Sequence, residues 1–278
     1  MAVAFNETSI WAEIVTPGVE RQRLLTPARV PRTKVLLDRL KLAPGASLDI
    51  RVSPGELAWF QILQGETRLM CGSARVQLGP THIVFLPSEF SGTLGSRGGA
   101  VFLYAQVPNA SRFDAGAFNE PPQFRVVDWS REPVLDSEHD ARKRIYLVTP
   151  RLFGTKAIKG EMIIYPPGTQ AANHHHEGAE HFMYVLKGSG TAYAGEKPIA
   201  LRAGDLIHYD DRERHYLRSE GGEDLMFVEF FVPGVYKTVW AEGAPVCTWI
   251  PTGRDIRGER PVREIEGHSS AVPTPQDV

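Results

Sequence analysis

Residues 168–190 read GTQAANHHHEGAEHFMYVLKGSG. Four histidines, His174, His175, His176 and His181, fall within eight residues, and a short apolar run and a Gly-Ser-Gly turn follow them. Side chains alternate between the two faces of a strand, so His174 and His176 share a face while His175 points away. Two imidazoles on one face can bind a single zinc, copper, iron, nickel or manganese ion. The stretch therefore predicts a metal site built on a β-strand.

The bulk composition narrows the class of protein. The chain has 278 residues, 42% hydrophobic and 23% charged, with 31 basic and 33 acidic residues and a net charge of -2. This balance predicts no nucleic-acid partner and no membrane partner, and the apolar runs are shorter than the ~20 residues of a spanning helix. Two distant cysteines and the absence of a signal peptide predict a reduced, cytoplasmic location.

Short apolar runs bounded by glycine, proline and polar turns dominate the chain, and helical periodicity is scarce. Many short strands at regular spacing are typical of an all-β sandwich or barrel. The runs that carry this prediction include AWFQIL, HIVFL, AVFLYAQV, EMIIY, FMYVL and LMFVEFFV.

An internal repeat organises the sequence. Shifted by 123 residues, Leu42-Ala43-Pro44-Gly45 falls on Tyr165-Pro166-Pro167-Gly168, and Gln64-Gly65 falls on Lys187-Gly188. The offset holds without a gap from about residue 35 to residue 107 of the first copy. A repeat of this length predicts tandem duplication of one domain.

The repeat divides the chain into three expected segments. Residues 1–120 form an N-terminal domain, residues 121–255 a C-terminal domain, and residues 256–278 a polar, mobile tail. Between the copies lies a polar linker with one short strand near Phe124–Val127. His268, in the tail, is expected to be exposed to solvent and unrelated to chemistry.

The two copies resemble cupin domains. The cupin pattern begins with a glycine and a His-x-His pair, which Gly168, His174 and His176 reproduce, and a distant second motif supplies a histidine at the place of His215. The resemblance covers both copies and implies two tandem jelly-roll β-barrels, each with an inward-facing pocket. It also implies one divalent transition metal, iron or manganese, with nickel or zinc as alternatives.

The third ligand position is open between two neighbours. Most cupins have a glutamate at this position, and Glu180 is the glutamate nearest to it. The spacing of the cupin pattern, counted back from Gly188, nevertheless ends at His181. The expected set is therefore His174, His176, His181 and His215, with Glu180 as the alternative to His181. The first copy has Arg51, Ser53, Ala58 and Gly92 at the four equivalent places, so it is expected to bind no metal.

The charge of the ligands predicts the charge of the substrate. Four neutral imidazoles leave the ion's +2 charge intact, so a small anionic, chelating molecule is expected. Arginines near the second motif are candidates to bind it, with Arg214 preferred. Glu229 lies in an otherwise apolar strand and is a candidate general base. Further candidates to bind the substrate are Arg202, Arg212 and Arg218. His208 is a candidate to contact a metal ligand or to act as a proton shuttle.

Three functions fit these residues. The first is an Fe(II)-type dioxygenase, since an all-histidine set resembles the three-histidine cupin dioxygenases. The second is a manganese hydrolase or lyase, because the layout is similar to that of the (S)-ureidoglycine aminohydrolase family. That family nevertheless has other residue types where this chain has His174 and His215. The third is a non-catalytic storage or ligand-binding bicupin. The resemblance also implies a homodimer.

Overall fold

The computed structural model describes residues 2–119 and 122–270, which separate into two compact units. The N-terminal unit runs from Glu7 to Trp129. The C-terminal unit runs from Ser130 onward and also includes the first strand of the chain. The division falls between residues 129 and 130, whereas the sequence placed it between residues 120 and 121.

The first half of the chain is nearly all strand, with one short α-helix. Its elements are β1 (Val3–Asn6), β2 (Ala12–Thr16), β3 (Val19–Leu25), β4 (Leu36–Leu42), β5 (Ser47–Arg51), β6 (Leu57–Gly65), β7 (Thr67–Cys71), β8 (Ala74–Leu78), β9 (His82–Leu86), β10 (Ser91–Gly95), β11 (Ala100–Val107), α1 (Ala115–Asn119) and β12 (Arg125–Asp128).

The second half repeats this pattern. Its elements are β13 (Val134–Ser137), β14 (Lys143–Val148), α2 (Pro150–Phe153), β15 (Lys159–Tyr165), β16 (His174–Glu177), β17 (Glu180–Lys187), β18 (Ser189–Ala194), β19 (Lys197–Arg202), β20 (Asp205–Tyr209), β21 (His215–Ser219), β22 (Leu225–Val232), β23 (Lys237–Trp240), β24 (Thr248–Pro251) and β25 (His268–Ser269).

Each unit contains two antiparallel sheets. In the N-terminal unit the strand orders are β12-β9-β6-β11-β4-β3-β2 and β5-β10-β7-β8. In the C-terminal unit they are β1-β20-β17-β22-β15-β14-β13-β24-β25 and β19-β18-β21-β16-β23. The predicted all-β fold of two tandem jelly-roll barrels is confirmed.

Strand positions confirm the 123-residue repeat. β6 begins at Leu57 and β17 at Glu180, and 180 − 57 = 123. β9 begins at His82 and β20 at Asp205, and 205 − 82 = 123. Matching strands also hold matching places, because β6 lies between β9 and β11 just as β17 lies between β20 and β22.

Two strands pair with sheets that their place in the sequence did not predict. β1 pairs with β20 of the C-terminal unit, with Val3 opposite His208. β12, which the sequence placed in an outer linker, pairs with β9 of the N-terminal unit, with Val126 opposite Val84. Local strand propensity cannot reveal such pairings, because they depend on which sheet edge the chain reaches.

Inward-facing apolar side chains fill each barrel. Alternation along β17 sends Met183 and Val185 into the core of the C-terminal unit, as expected, where they join Ile207, Tyr209 and Phe227. The N-terminal unit has a comparable core at equivalent strand positions. Its members include Phe60, Ile62, Val84, Leu86 and Phe102.

Part of the predicted mobile tail, residues 256–270, contacts the rest of the C-terminal unit. β25 pairs with β24, with His268 opposite Trp249. His268 Nε2 lies 2.6 Å from Tyr146 Oη, so this histidine is not a free surface side chain. Arg263 Nε donates to the buried Glu132 at 2.6 Å. The rest of the predicted tail, residues 271–278, lies outside the described residues. No described helix has the length and apolar character needed to cross a membrane.

Two glycines with similar backbone conformations but different surroundings test the close packing of the C-terminal barrel. Gly188 has φ +77°, and an added Cβ would lie 2.2 Å from the Asp224 carbonyl oxygen. Gly195 has a similar φ of +62° but nothing within 4 Å of an added Cβ. Gly195→Ala should lower the free energy of unfolding by about 1–2 kcal/mol, the cost of a left-handed alanine. Gly188→Ala should lower it by about 1–3 kcal/mol more, because the backbone must shift. Urea unfolding of both variants measures the difference, and equal losses would contradict the packing.

Candidate metal centre

Strand register brings the predicted histidines together inside the C-terminal barrel. β16 pairs with β21 so that His174 lies directly opposite His215. Their ring centroids are 4.5 Å apart, and His176, on the same face as His174, lies 4.9 Å from it. His175, between them, instead lies 3.5 Å from Glu177 Oε1. The alternation predicted for the His-x-His pair is therefore present.

His181 joins this cluster from the opposite sheet. Its ring lies 4.6 Å from that of His215 and 4.9 Å from that of His176. Tyr209 and Phe231 stack on the imidazole at 4.9 and 5.0 Å, which fixes the plane of the ring. We call His174, His176, His181 and His215 the histidine cluster.

Glu180 occupies the other face of β17. Its carboxylate oxygen Oε2 lies 2.9 Å from His208 Nε2, and both side chains are buried. Neighbouring residues on a strand point to opposite faces, so Glu180 and His181 cannot both reach the cluster without a bulge. The pairing of β17 with β20 runs without a register shift from His181 to Tyr184. This arrangement favours His181 over Glu180 as the third ligand.

Hydrogen bonds on one side of the rings leave the other side for an ion. The Nδ1–H groups of His174 and His215 donate to the carbonyl oxygens of Ala172 and Glu213, each at 2.8 Å. Such a bond places the proton on Nδ1 and leaves a lone pair on Nε2. His176 Nδ1 lies 3.2 Å from Thr238 Oγ1 and is held in a similar way.

Burial keeps these imidazoles neutral. It lowers the pKa of His174 to about 4. It also lowers the pKa values of His176, His181 and His215 well below their usual range, and neighbouring imidazoles add to the effect. A neutral imidazole is the form that binds a metal ion.

Unsatisfied ring nitrogens fit the presence of a metal. Both ring nitrogens of His181 and Nε2 of His215 are buried without a hydrogen-bond partner among the described residues. A buried polar atom left in this state costs about 1–3 kcal/mol. A divalent ion bound by these nitrogens would remove that cost, so the donors present fit a transition metal.

Glu229 lies beside the cluster. It stands opposite Glu161 in the pairing of β15 with β22, and its Oε1 is 3.4 Å from His181 Nε2. Burial raises the pKa of Glu229 to about 8, and the negative charge of Glu161 acts in the same direction. Two groups have ligand atoms close enough for one ion, namely His174 with His176 and His215, and His176 with His181 and Glu229.

A cavity of about 50 Å³ opens from the cluster into the barrel. Its apolar wall contains Ile163, Met183, Leu217 and Phe227. Its polar wall contains side chains that the sequence analysis missed, namely Arg142, Arg144, Tyr165, Cys247 and Trp249. Arg142 and Arg144 are two residues apart at the start of β14, the spacing of one strand face. That spacing is a usable signal, although the sequence predicts a polar linker in this part of the chain.

The arginines favoured by the sequence lie elsewhere. The Arg212 side chain is 67% exposed, 3.6 Å from Glu177, and that of Arg218 is 51% exposed, beside Glu220. Arg202 is also exposed. Arg214 is half-buried and does not belong to the described cavity wall, so its role at the substrate stays a prediction.

The N-terminal unit lacks a comparable cluster. Its described residues contain no group of three histidine, cysteine or acidic side chains with converging ligand atoms. At the positions equivalent to His174 and His181 it has an exposed Arg51 and a fully buried Ala58. That the first copy binds no metal stays a prediction.

Comparison with known proteins identifies the family. The profile of the cupin domain matches residues 161–231. An oxalate-binding protein of Thermotoga maritima is 33% identical over 87 residues, which cover 31% of this chain and 72% of that protein. The chain belongs to the cupin family. The suggested likeness to (S)-ureidoglycine aminohydrolase stays a prediction.

Solved structures of bicupins share the fold of this cupin. A variant of Bacillus subtilis oxalate decarboxylase superposes with a TM-score of 0.69 at 16% identity, covering 85% of this chain and 78% of that one. The formate complex of Lactobacillus farciminis oxalate decarboxylase gives 0.69 at 15% identity, covering 85% and 88%. At such low identity the likeness shows the two-barrel fold alone.

The neighbours Glu180 and His181 provide a matched test of the ligand set. His181→Gln should weaken metal binding by more than about 10-fold, because it replaces a ring nitrogen that has no other buried partner. Glu180→Gln should leave metal binding unchanged, since the amide can still hydrogen-bond His208. Metal per chain after dialysis, with chelator competition for affinity, gives the answer. Loss of metal in Glu180→Gln but not in His181→Gln would reverse the assignment.

Proposed function

We propose that the C-terminal barrel is the active site of a metal-dependent enzyme acting on a small, chelating carboxylate. One observation carries this proposal: four imidazoles converge beside a small cavity lined by His174 and His176, and ring nitrogens of His181 and His215 are buried without a hydrogen-bond partner among the described residues. Purely structural histidines would satisfy both ring nitrogens, as buried polar groups generally do.

The charge of the site supports an anionic substrate. Four neutral ligands leave the +2 charge of an ion uncompensated. Two guanidinium groups, those of the buried Arg142 and the half-buried Arg144, line the cavity. The names of the relatives agree, since one binds oxalate and two are oxalate decarboxylases. A further study of the Bacillus decarboxylase concerns its Mn(II) centres, which supports manganese as the ion here.

Each residue has a defined task in this proposal. The ion would be held by His174, His176, His181 and His215, and it would supply Lewis-acid polarisation of a bound carboxylate. Glu229 is near enough to the cluster to exchange a proton with a substrate bound there. The apolar wall, with Met183 and Phe227, excludes water from the reacting atoms.

The position of Glu229 favours acid–base cleavage, as in a lyase or hydrolase. A protonated carboxyl group beside the metal can protonate the carbon or nitrogen atom released when a bond breaks. The Fe(II)-type dioxygenase is the second candidate, favoured by the all-histidine ligand set. A storage or binding protein is a weaker candidate, because storage has no need of a buried acid beside the metal. A homodimer and a cytoplasmic location stay predictions.

Turnover measurements test this function. Protein loaded with manganese or iron is incubated with oxalate, 2-oxo acids and ureidoglycine while carbon dioxide, ammonia and oxygen uptake are recorded. Product release without stoichiometric oxygen uptake is expected for acid–base cleavage, whereas one oxygen molecule consumed per turnover would indicate the dioxygenase. A protein that binds no transition metal would contradict both.

Glu229→Gln tests the proton-transfer role. The variant should lower kcat by about 10²–10⁴-fold, because an amide cannot exchange the proton. Its metal content should be unchanged if Glu229 acts on the substrate. Glu223→Gln is the matched control, since the Glu223 side chain is 56% exposed and pairs with Lys187. Loss of metal from Glu229→Gln would instead make Glu229 a ligand, and unaltered kcat would exclude it from catalysis.

A further inference from the structure

An exposed apolar edge lies on the N-terminal unit, along β2. Trp11, Ile14 and Val15 are 93%, 78% and 42% exposed. Trp11 alone leaves about 200 Å² of aromatic surface in contact with solvent. Single apolar side chains scattered over a surface need no explanation, but three within five residues form a patch of the kind that marks an interaction site. We call Trp11, Ile14 and Val15 the β2 edge.

The backbone of β2 is also unpaired on its outer side. β2 is the last strand of its sheet and bonds to β3, with Ile14 opposite Glu20. In the part of the chain that the structure describes, no strand pairs with its other side. Proteins commonly protect such an edge with proline, lysine or a bulge. β2 contains neither residue, and its register shift falls beyond Ile14, so the backbone before that residue can pair with another strand.

The charges around the β2 edge favour a partner that is neither strongly acidic nor strongly basic. Glu13, the one charged residue of β2, accepts hydrogen bonds from Arg21 Nε at 2.8 Å and from Arg23 Nε at 2.9 Å. Arg21 also lies 3.8 Å from Asp38, so two arginines balance two carboxylates. The chain as a whole carries a net charge of only -2, and two copies therefore approach each other without strong repulsion.

A groove beside the β2 edge makes this surface self-complementary. The groove has a volume of about 480 Å³, begins at Ile14, and has an apolar lining that includes Val19, Leu42 and Val101. The same surface thus carries a projecting indole, that of Trp11, and an apolar groove. Two-fold symmetry brings the same patch of two copies together, so each copy offers its indole to the groove of the other. A partner of different sequence would have to supply both features, whereas a second copy already has them.

We propose that a second copy of the chain covers the β2 edge. The β2 strands of the two copies pair antiparallel across a two-fold axis, and each Trp11 packs into the groove of the other copy. A stable dimer buries about 800 Å² on each copy, and Trp11 contributes about 200 Å² of that area. This interface belongs to the N-terminal unit, goes beyond the proposed metal-dependent function and does not depend on it.

Sedimentation equilibrium of the full chain over a range of protein concentrations tests the proposal. The wild type should have twice the mass of one chain. Trp11→Ser should weaken dimer formation by more than about 30-fold, because a central aromatic side chain carries much of the energy of an interface. Ile14→Lys should act in the same direction, since it brings two like charges together across the paired strands. Val262→Lys, at a residue 53% exposed in the C-terminal unit, is the matched control and should leave the mass unchanged.

Hydrogen exchange tests the strand pairing itself. The backbone amides of residues 12–14 should exchange more slowly in the wild type than in Trp11→Ser at the same protein concentration, because pairing protects them from water. Equal exchange in a wild type that is dimeric would place the interface elsewhere. Far-UV circular dichroism of each variant checks that the exposed substitutions leave the fold intact.

Three further outcomes would overturn the proposal. One is a wild type that is monomeric at every concentration, and another is a dimer that neither Trp11→Ser nor Ile14→Lys weakens. The third is a monomer whose tryptophan fluorescence shifts on neutral lipid vesicles in the wild type but not in Trp11→Ser, which would assign the edge to a membrane surface. The metal content of Trp11→Ser should equal that of the wild type, so failure of the dimer and failure of the metal-dependent function are read separately.

Discussion

The cross-strand pair of His174 with His215 is the contact on which the site depends. The register of β16 and β21 places the two imidazoles opposite each other, with ring centroids 4.5 Å apart. Each Nδ1–H donates to a backbone carbonyl oxygen, which leaves the Nε2 atom of each ring for an ion. A one-residue slip would send every side chain of β16 to the opposite face and place His175 in the cluster instead. The site therefore exists only while the barrel holds its register.

Duplication explains how a chain with two barrels has one such cluster. The strands around both sites occupy equivalent places, so the N-terminal unit retains the scaffold that positions the histidines. Where the C-terminal unit has His181, the N-terminal unit has Ala58, fully buried in an apolar core with Phe60 and Leu86. An apolar interior needs no ion to satisfy it, whereas buried imidazoles without partners are costly.

The polar wall of the cavity adds charged side chains to the histidine cluster. Buried charges are tolerated only when they are paired. Glu161 lies 3.1 Å from Arg144 and 3.4 Å from Lys159. Arg142 donates through Nε to Asp140, and its terminal nitrogens contact Tyr165 Oη and Cys247 Sγ. The wall thus places two guanidinium groups and their acidic partners beside the histidine cluster.

The sequence alone predicted the repeat and the His174–His176 pair, because strand alternation and a constant 123-residue offset can be counted along the chain. The jelly-roll barrels and the place of His215 followed from the resemblance to cupins. The sequence left Glu180 and His181 as alternatives, since spacing does not say which face of β17 meets the cavity. Tertiary structure decided that the face with Met183 and Val185 is the inner one and that Glu180 pairs with His208. It also decided the sheets that β1 and β12 join and the place of Arg142 and Arg144 in the cavity wall. These features depend on which distant strands pack together, and no periodicity within a segment encodes that choice.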